Sequence, residues 1–147
     1  MVVRARGFTL IEIIVVLAIA VTVMAVVGSV MFRGASVHDL KAAARTLASG
    51  LRQAQSTAMV TKRDAILTLD VESREYFLPN DKRAHKLPDG LELKLFTAQS
   101  EAESEKRGAI RFYPDGSSTG GRITVSAGER KFLVDVDWLT GRVTIGD

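Results

Sequence analysis

Residues Phe8 to Phe32 read FTLIEIIVVLAIAVTVMAVVGSVMF, an apolar run carrying a single charged residue, Glu12. A helix needs about 20 consecutive apolar residues to cross the hydrocarbon of a bilayer, and this run meets that length. What remains, Arg33 to Asp147, is the size of one small domain. The basic head MVVRARG precedes the run. Positive charge before an apolar span holds that end on the cytoplasmic side, so the rest of the chain is expected to face outward. A cleaved secretory signal peptide is the alternative, with Ala18-Ile19-Ala20 as its small-x-small site. Such peptides have an apolar region of only about 7–15 residues, whereas this one continues well past Ala20 and has a carboxylate near its start.

Beyond Phe32 the polarity changes but the helical period persists. Val37, Leu40, Ala44, Leu47, Leu51, Ala54 and Ala58 recur at spacings of three and four, one apolar stripe of a helix expected over about 37–63. Lys41, Arg45, Arg52 and Gln55 are assigned to the opposite face. A coiled-coil seam is the competing explanation of such a stripe, but its many alanines suit close packing on a sheet. Ser29, Gly34 and Ser36 weaken the join, yet no proline forces a break there, so the simplest reading is one long helix.

From Ala65 the period becomes two. Ala65–Val71 and Arg74–Leu78 read as a hairpin around Glu72-Ser73, and Leu91–Phe96 alternates after the turn Pro88-Asp89-Gly90. Gln99–Gly108 is polar and reads as a surface loop. Ala109–Tyr113, Arg122–Ser126, Lys131–Val136 and Arg142–Ile145 follow, separated by Pro114-Asp115-Gly116, Ala127-Gly128-Glu129 and Thr140-Gly141. Short strands with tight connections imply antiparallel pairing. The expected fold class is therefore α+β, a long N-terminal helix with its amphipathic half packed on an antiparallel β-sheet.

The head and the start of the run together read Arg6-Gly7-Phe8-Thr9-Leu10-Ile11-Glu12. This combination resembles the leader of type IV pilins and pseudopilins. The resemblance implies a pilin-like fold, cleavage of the leader (1–7) between Gly7 and Phe8 by a prepilin peptidase, N-methylation of Phe8, a transmembrane helix over 8–32 and a periplasmic domain over 33–147. Glycine lacks a side chain and fits a tight protease subsite while leaving the scissile peptide extended. Glu12 is the odd residue. A carboxylate at a helix centre in lipid costs about 2.5–3.5 kcal/mol on the insertion scale. In the bland reading Glu12 sits at the interface near the positive helix end, where the cost is small. The resemblance instead implies a role in assembly, pairing with the N-terminal amine of a neighbouring subunit. Phe8 and Glu12 also share a helix face at i, i+4, so an internal pair is a further option. Many major pilins carry a proline midway through this helix, and none occurs between Phe8 and Phe32 here.

A second resemblance lies in Phe112-Tyr113-Pro114-Asp115-Gly116-Ser117-Ser118-Thr119-Gly120-Gly121 and Val136-Asp137-Trp138-Leu139-Thr140-Gly141-Arg142-Val143. These stretches look like the C-terminal signature of the H-type minor pseudopilins of type II secretion, whose domain is shared with T- and U-type minor pilins. Structural roles are expected throughout: Phe112 as a core anchor, Asp115-Gly116 as a turn, Gly120-Gly121 as a loop end, Trp138 as an aromatic packed beside the last turn and Gly141 within that turn.

Enzyme readings are poorly supported. Gly116-Ser117-Ser118-Thr119-Gly120 matches the G-x-S-x-G nucleophile elbow, but an elbow leads into a helix and precedes its Asp and His, whereas a strand follows here and His38 and His85 come earlier. The loop lacks the Gly-Lys-Ser/Thr ending of a phosphate-binding loop. Neither histidine has a partner at ligand spacing, and both read as solvated. Asp115, Asp135 and Asp137 are the one arrangement considered for calcium; no metal or cofactor is expected. Absence of cysteine excludes disulfides and thiolate metal sites. Net charge is +3, of which Arg4 and Arg6 supply two, and acids alternate with bases along the rest. Arg122, Arg130 and Lys131 offer only a small basic patch, so no nucleic-acid partner is expected.

The expected function is assembly without catalysis: a minor pseudopilin that builds or caps a type II secretion pseudopilus at the inner membrane, or alternatively a minor pilin of a type IV pilus with a role in DNA uptake. The implied partners are other major and minor pseudopilins, the inner membrane and the prepilin peptidase, with secreted cargo or the secretin as further candidates.

Overall fold

The computed structural model describes residues 10–31, 36–98, 102, 104 and 106–147, with side chains in the first stretch described for 10–23. Two compact units are present, one up to Arg33 and one from Gly34 to Asp147. The first contributes helix α1 (Leu10–Met31, 22 residues), with Glu12 in its first turn. At about 1.5 Å per residue this helix is about as long as a bilayer's hydrocarbon is thick. Every described side chain from Leu10 to Val23 is exposed. Among the described residues no helix is long and apolar enough to cross a membrane, the described side chains of α1 stopping at Val23. The expected leader (1–7) and Phe8 lie outside the described residues.

Helix α2 (Val37–Thr61) opens with a capping box: Asp39 N–H donates to Ser36 Oγ at 3.2 Å, and Ser36 N–H donates to Asp39 Oδ2 at 3.1 Å. These bonds satisfy amides left free by the helix start, while the Ser36 hydroxyl, donating to Asp39 Oδ2 at 2.7 Å, and then the Ser36 N–H hold the Asp39 carboxyl below the usual carboxylate range. Ser36 itself is extended (φ −68°, ψ 157°). The expectation of one unbroken helix is thereby corrected, because a capped residue at Ser36 begins α2 afresh. Lys62, in the left-handed conformation, closes it.

The buried face of α2 comprises Leu40, Ala43, Ala44, Leu47, Ala48, Gly50, Leu51, Ala54 and Ala58. Val37, assigned to the stripe, is 46% exposed. Lying in the first turn, it precedes the point at which the helix meets the sheets. No coiled-coil partner is needed, since α2 packs on β1, β5, β6, β7 and β8.

Eight strands follow: β1 (Ala65–Asp70), β2 (Glu75–Phe77), β3 (His85–Lys86), β4 (Glu92–Thr97), β5 (Arg107–Phe112), β6 (Gly121–Ala127), β7 (Arg130–Val136) and β8 (Val143–Gly146). They form two antiparallel four-stranded sheets, ordered β3-β2-β1-β5 and β4-β6-β7-β8. The period-two reading of β1 holds residue by residue, with Ala65, Leu67 and Leu69 buried and their neighbours half-buried. Phe112 is fully buried, in one cluster with Leu47, Leu67, Ile123 and Val134. Strand β3 was not expected. His85, read as solvated, is half-buried on it: its ring stacks on Tyr76 at 5.1 Å between centroids and its Nε2 lies 3.2 Å from Asp81 Oδ2.

Leu47 is wholly buried at the centre of the helix stripe, so Leu47→Ala should lower unfolding stability by about 2–5 kcal/mol, read by urea titration of the fragment 34–147. That fragment retains the whole cluster around α2 and should run as a folded, soluble species. Aggregation, or a disordered circular dichroism spectrum, would show that the α2 face needs a partner.

Candidate functional site at the signature loops

The β5–β6 and β7–β8 loops meet. Ser118 N–H donates to Trp138 O at 2.8 Å, and Ser118 Oγ donates to Asp137 O at 3.1 Å. Within the first loop Asp115 Oδ1 accepts from Ser117 N–H at 3.0 Å and from Ser117 Oγ at 2.6 Å, which depresses the Asp115 pKa. Within the second, Asp137 Oδ1 accepts from Thr140 N–H, Thr140 Oγ1 and Leu139 N–H at 2.8, 2.8 and 3.1 Å. Those bonds, from Thr140 foremost, lower the Asp137 pKa.

Helix α2 ties both loops down. Gln55 Nε2 donates to Gly116 O at 2.9 Å and to Thr140 O at 3.0 Å, while Arg52 Nη2 donates to Val143 O at 3.1 Å. Both residues were assigned to the free face of the helix, and the structure corrects this. They flank the buried stripe, and their length carries the donors past its edge to loop carbonyls. Position alone gave no signal, because Gln and Arg beside a stripe also describe any solvated flank. Gly141 makes the joint possible. Its φ is +63°, and a Cβ there would lie 2.2 Å from Gly116 O and 2.4 Å from Gln55 Nε2.

Gly116, Gly120 and Gly121 occupy the β5–β6 loop and the start of β6 with positive φ, alongside Asp115 in its turn. Trp138 differs from expectation: it is 65% exposed, with Leu139 63% and Phe96 78% exposed nearby in the fold. Glu12 is exposed on α1, and Gly7 and Phe8 lie outside the described residues.

Among the described residues the loops assemble no hydrolytic or metal chemistry. The hydroxyl of Ser118, the central serine of the G-x-S-x-G pattern, is 5% exposed at residue level and bonded to Asp137 O and Gly120 N–H, with strand β6 following instead of a helix. Asp115 and Asp137 are held by their own turns and Asp135 by Arg122, and no cluster of three metal-ligating residues occurs among the described residues. The small basic patch is likewise dispersed. Arg122 pairs with Asp135 near one end of the β6–β7 hairpin, whereas Arg130 and Lys131 stand at its other end, about 13 Å away at ~3.3 Å per residue.

An N-terminal helix and a second helix laid on two antiparallel sheets define a pilin-like fold. Solved structures share the fold. The Pseudomonas aeruginosa type IV minor pilin FimU superposes with a TM-score of 0.59 at 15% identity, over 75% of this chain and 90% of that one. The Vibrio cholerae type II secretion minor pseudopilin EpsH gives 0.57 at 15%, over 73% and 95%. The sequence goes further. Residues 43–140 match the family described as type II transport protein GspH, and residues 3–28 match the prokaryotic N-terminal methylation motif. A Xanthomonas campestris pv. campestris relative, type II secretion system protein H, is 30% identical over 143 residues, 97% of this chain and 84% of that protein. The chain belongs to the GspH family.

Two glycines in the same left-handed region separate backbone strain from collision. Gly128 has φ +60° with nothing within 4 Å of an added Cβ, so Gly128→Ala should cost only about 1–2 kcal/mol. Gly141→Ala should cost distinctly more by denaturant titration, because it also displaces Gly116 O or Gln55. The Asp137 turn adds a pH signature. Its folded-state pKa is depressed, so its stabilisation is present above the ordinary value of about 3.9 and fades as pH falls through the folded one. The stability gap between wild type and Asp137→Asn should therefore close as pH drops below about 4, measured by thermal melts across pH.

Proposed function

We propose that this chain is a minor pseudopilin of a type II secretion system, which builds into or caps the pseudopilus that drives protein export. One observation carries the reading: a single chain joins an N-terminal methylation motif at residues 3–28 to a GspH-family domain at 43–140. The chain is made with leader 1–7, cut between Gly7 and Phe8 and methylated on Phe8. The apolar segment 8–32 anchors it in the inner membrane, and residues 33–147 form the periplasmic domain. Its partners are the other major and minor pseudopilins, with the prepilin peptidase acting on it once and the secretin or cargo within reach of the finished filament. The work is assembly and not catalysis. The likeness to FimU is one of fold, matched by that to EpsH, and gives no preference for a pilus. A strain lacking the chain should lose export of type II cargo and regain it on complementation. Intact export with lost surface pili would place the chain in a pilus instead.

Processing should depend on Gly7. Gly7→Val puts a branched side chain into the narrow subsite and should leave the precursor uncut, seen as slower migration and no Phe8 N-terminus on sequencing. Glu12 should act later. Glu12→Leu removes a group that lipid disfavours, so insertion and cleavage should be unchanged, whereas assembly should weaken because the amine on Phe8 of a neighbour loses its counter-charge. The measurement is crosslinking to other pseudopilins from matched, fully processed protein. Glu12→Gln, which keeps the shape and an acceptor, should fall between the two; equal yields for wild type and Glu12→Leu would leave Glu12 an interfacial residue only.

A further inference from the structure

Helix α2 buries one side and carries unpaired positive charge on the other. On the side turned away from Leu40, Leu47 and Leu51, the residues His38, Lys41, Arg45 and Ser49 follow one another at spacings of three and four, so they share one exposed face over about three turns. Neither Lys41 nor Arg45 has an ion-pair partner among the described residues. The 25 residues of α2 include a single acid, Asp39, whose carboxyl is held by Ser36 in the capping box. Elsewhere in the domain cations find carboxylates: Arg122 pairs with Asp135, Arg111 with Asp64 and Lys106 with Glu72. Chain length gives the basic face its setting. Only residues 33–36 separate Phe32, the end of the apolar segment, from Val37 at the start of α2, a reach of at most about 18 Å.

We propose that this face docks on the anionic phospholipid headgroups of the membrane that anchors the chain, an inference that rests on the anchor proposed above. Two magnitudes select that occupant. A cation beside an anionic bilayer surface is worth about fivefold in binding, so Lys41 and Arg45 together bias a tethered domain about 25-fold toward the surface. The tether supplies the effective concentration that a soluble partner would have to provide. The same two cations are too few for a nucleic acid, where binding rests on about 6–10 phosphate contacts. A subunit docked in this way is kept at the bilayer surface until it enters a filament.

The chain contains no cysteine, so Ser49→Cys places a single fluorophore on the basic face and Glu129→Cys places one in the exposed β6–β7 turn as a control. The full chain is reconstituted in phosphatidylcholine vesicles, with or without phosphatidylglycerol, that carry a nitroxide quencher on a trace of their headgroups. Quenching at position 49 should rise when phosphatidylglycerol is present and return to the phosphatidylcholine level at about 1 M salt, where the Debye length is about 3 Å. Position 129 should not respond. Lys41→Gln combined with Arg45→Gln changes two exposed residues outside the core and should lower the docked-to-free ratio about 25-fold, whereas Lys41→Arg with Arg45→Lys should keep it. Equal quenching in the two lipids, quenching that survives the double glutamine change, or a response at 129 as strong as at 49 would overturn the docking. So would a rise at 49 that appears only when other pseudopilins are added, or one abolished by a short DNA duplex, since the face would then belong to a neighbour or to a nucleic acid. Flotation tests the anchor separately. The chain should float with phosphatidylcholine vesicles alone and stay with them at about 1 M salt; failure there overturns the anchor, while flotation without the phosphatidylglycerol effect overturns the docking only.

Discussion

The domain depends on one act of burial, the alanine- and leucine-rich face of α2 pressed across two sheets. Leu40, Leu47 and Leu51 are fully buried there, each contributing about 1.5–3 kcal/mol relative to exposure. The alanines between them set how near the backbone can come. Ala43, Ala44, Ala48, Ala54 and Ala58 keep the helix surface low, so that it reaches β1 and β5 of one sheet and β6, β7 and β8 of the other. Within this unit the β1–β5 and β6–β7 pairs share this single helix face.

That dependence explains which parts of the fold were legible in the sequence. A stripe of period 3.6 and strands of period two are consequences of burial on one side, so the stripe and seven of the eight strands could be read from residues alone. Features not caused by burial were harder to see. Strand β3, only His85 and Lys86, leaves too short a pattern, and it exists because Tyr76 and Asp81 give the imidazole a stacking face and a polar partner. The start of α2 near residue 37 was expected, but the break before it was missed for a similar reason. Ser36 and Asp39 are a capping signal, but without a proline at the join the helical pattern on both sides reads through it.

The signature loops show the limit more sharply. Asp115, Gly116, Gly141 and Phe112 occupy structural places, yet the residue that bonds both loops, Gln55, lies 61 residues from Gly116 and 85 from Thr140. Periodicity assigns a side chain to a face; it says nothing of whether a long carboxamide on the flank finds carbonyls in range. Gly141 was the available clue. A glycine in a turn can signal positive φ alone, as Gly128 does, or positive φ together with close approach of other backbone. Only the structure distinguishes them.

Trp138 turns that joint into something more than a staple. An aromatic at the end of a strand is ordinarily read as core, because burying it stabilises the domain. Here the same hydrogen bonds that fix the turn hold the ring largely in water, and Phe96 is held out at the end of β4. A fold with a well-filled core gains nothing for its own stability from two exposed rings.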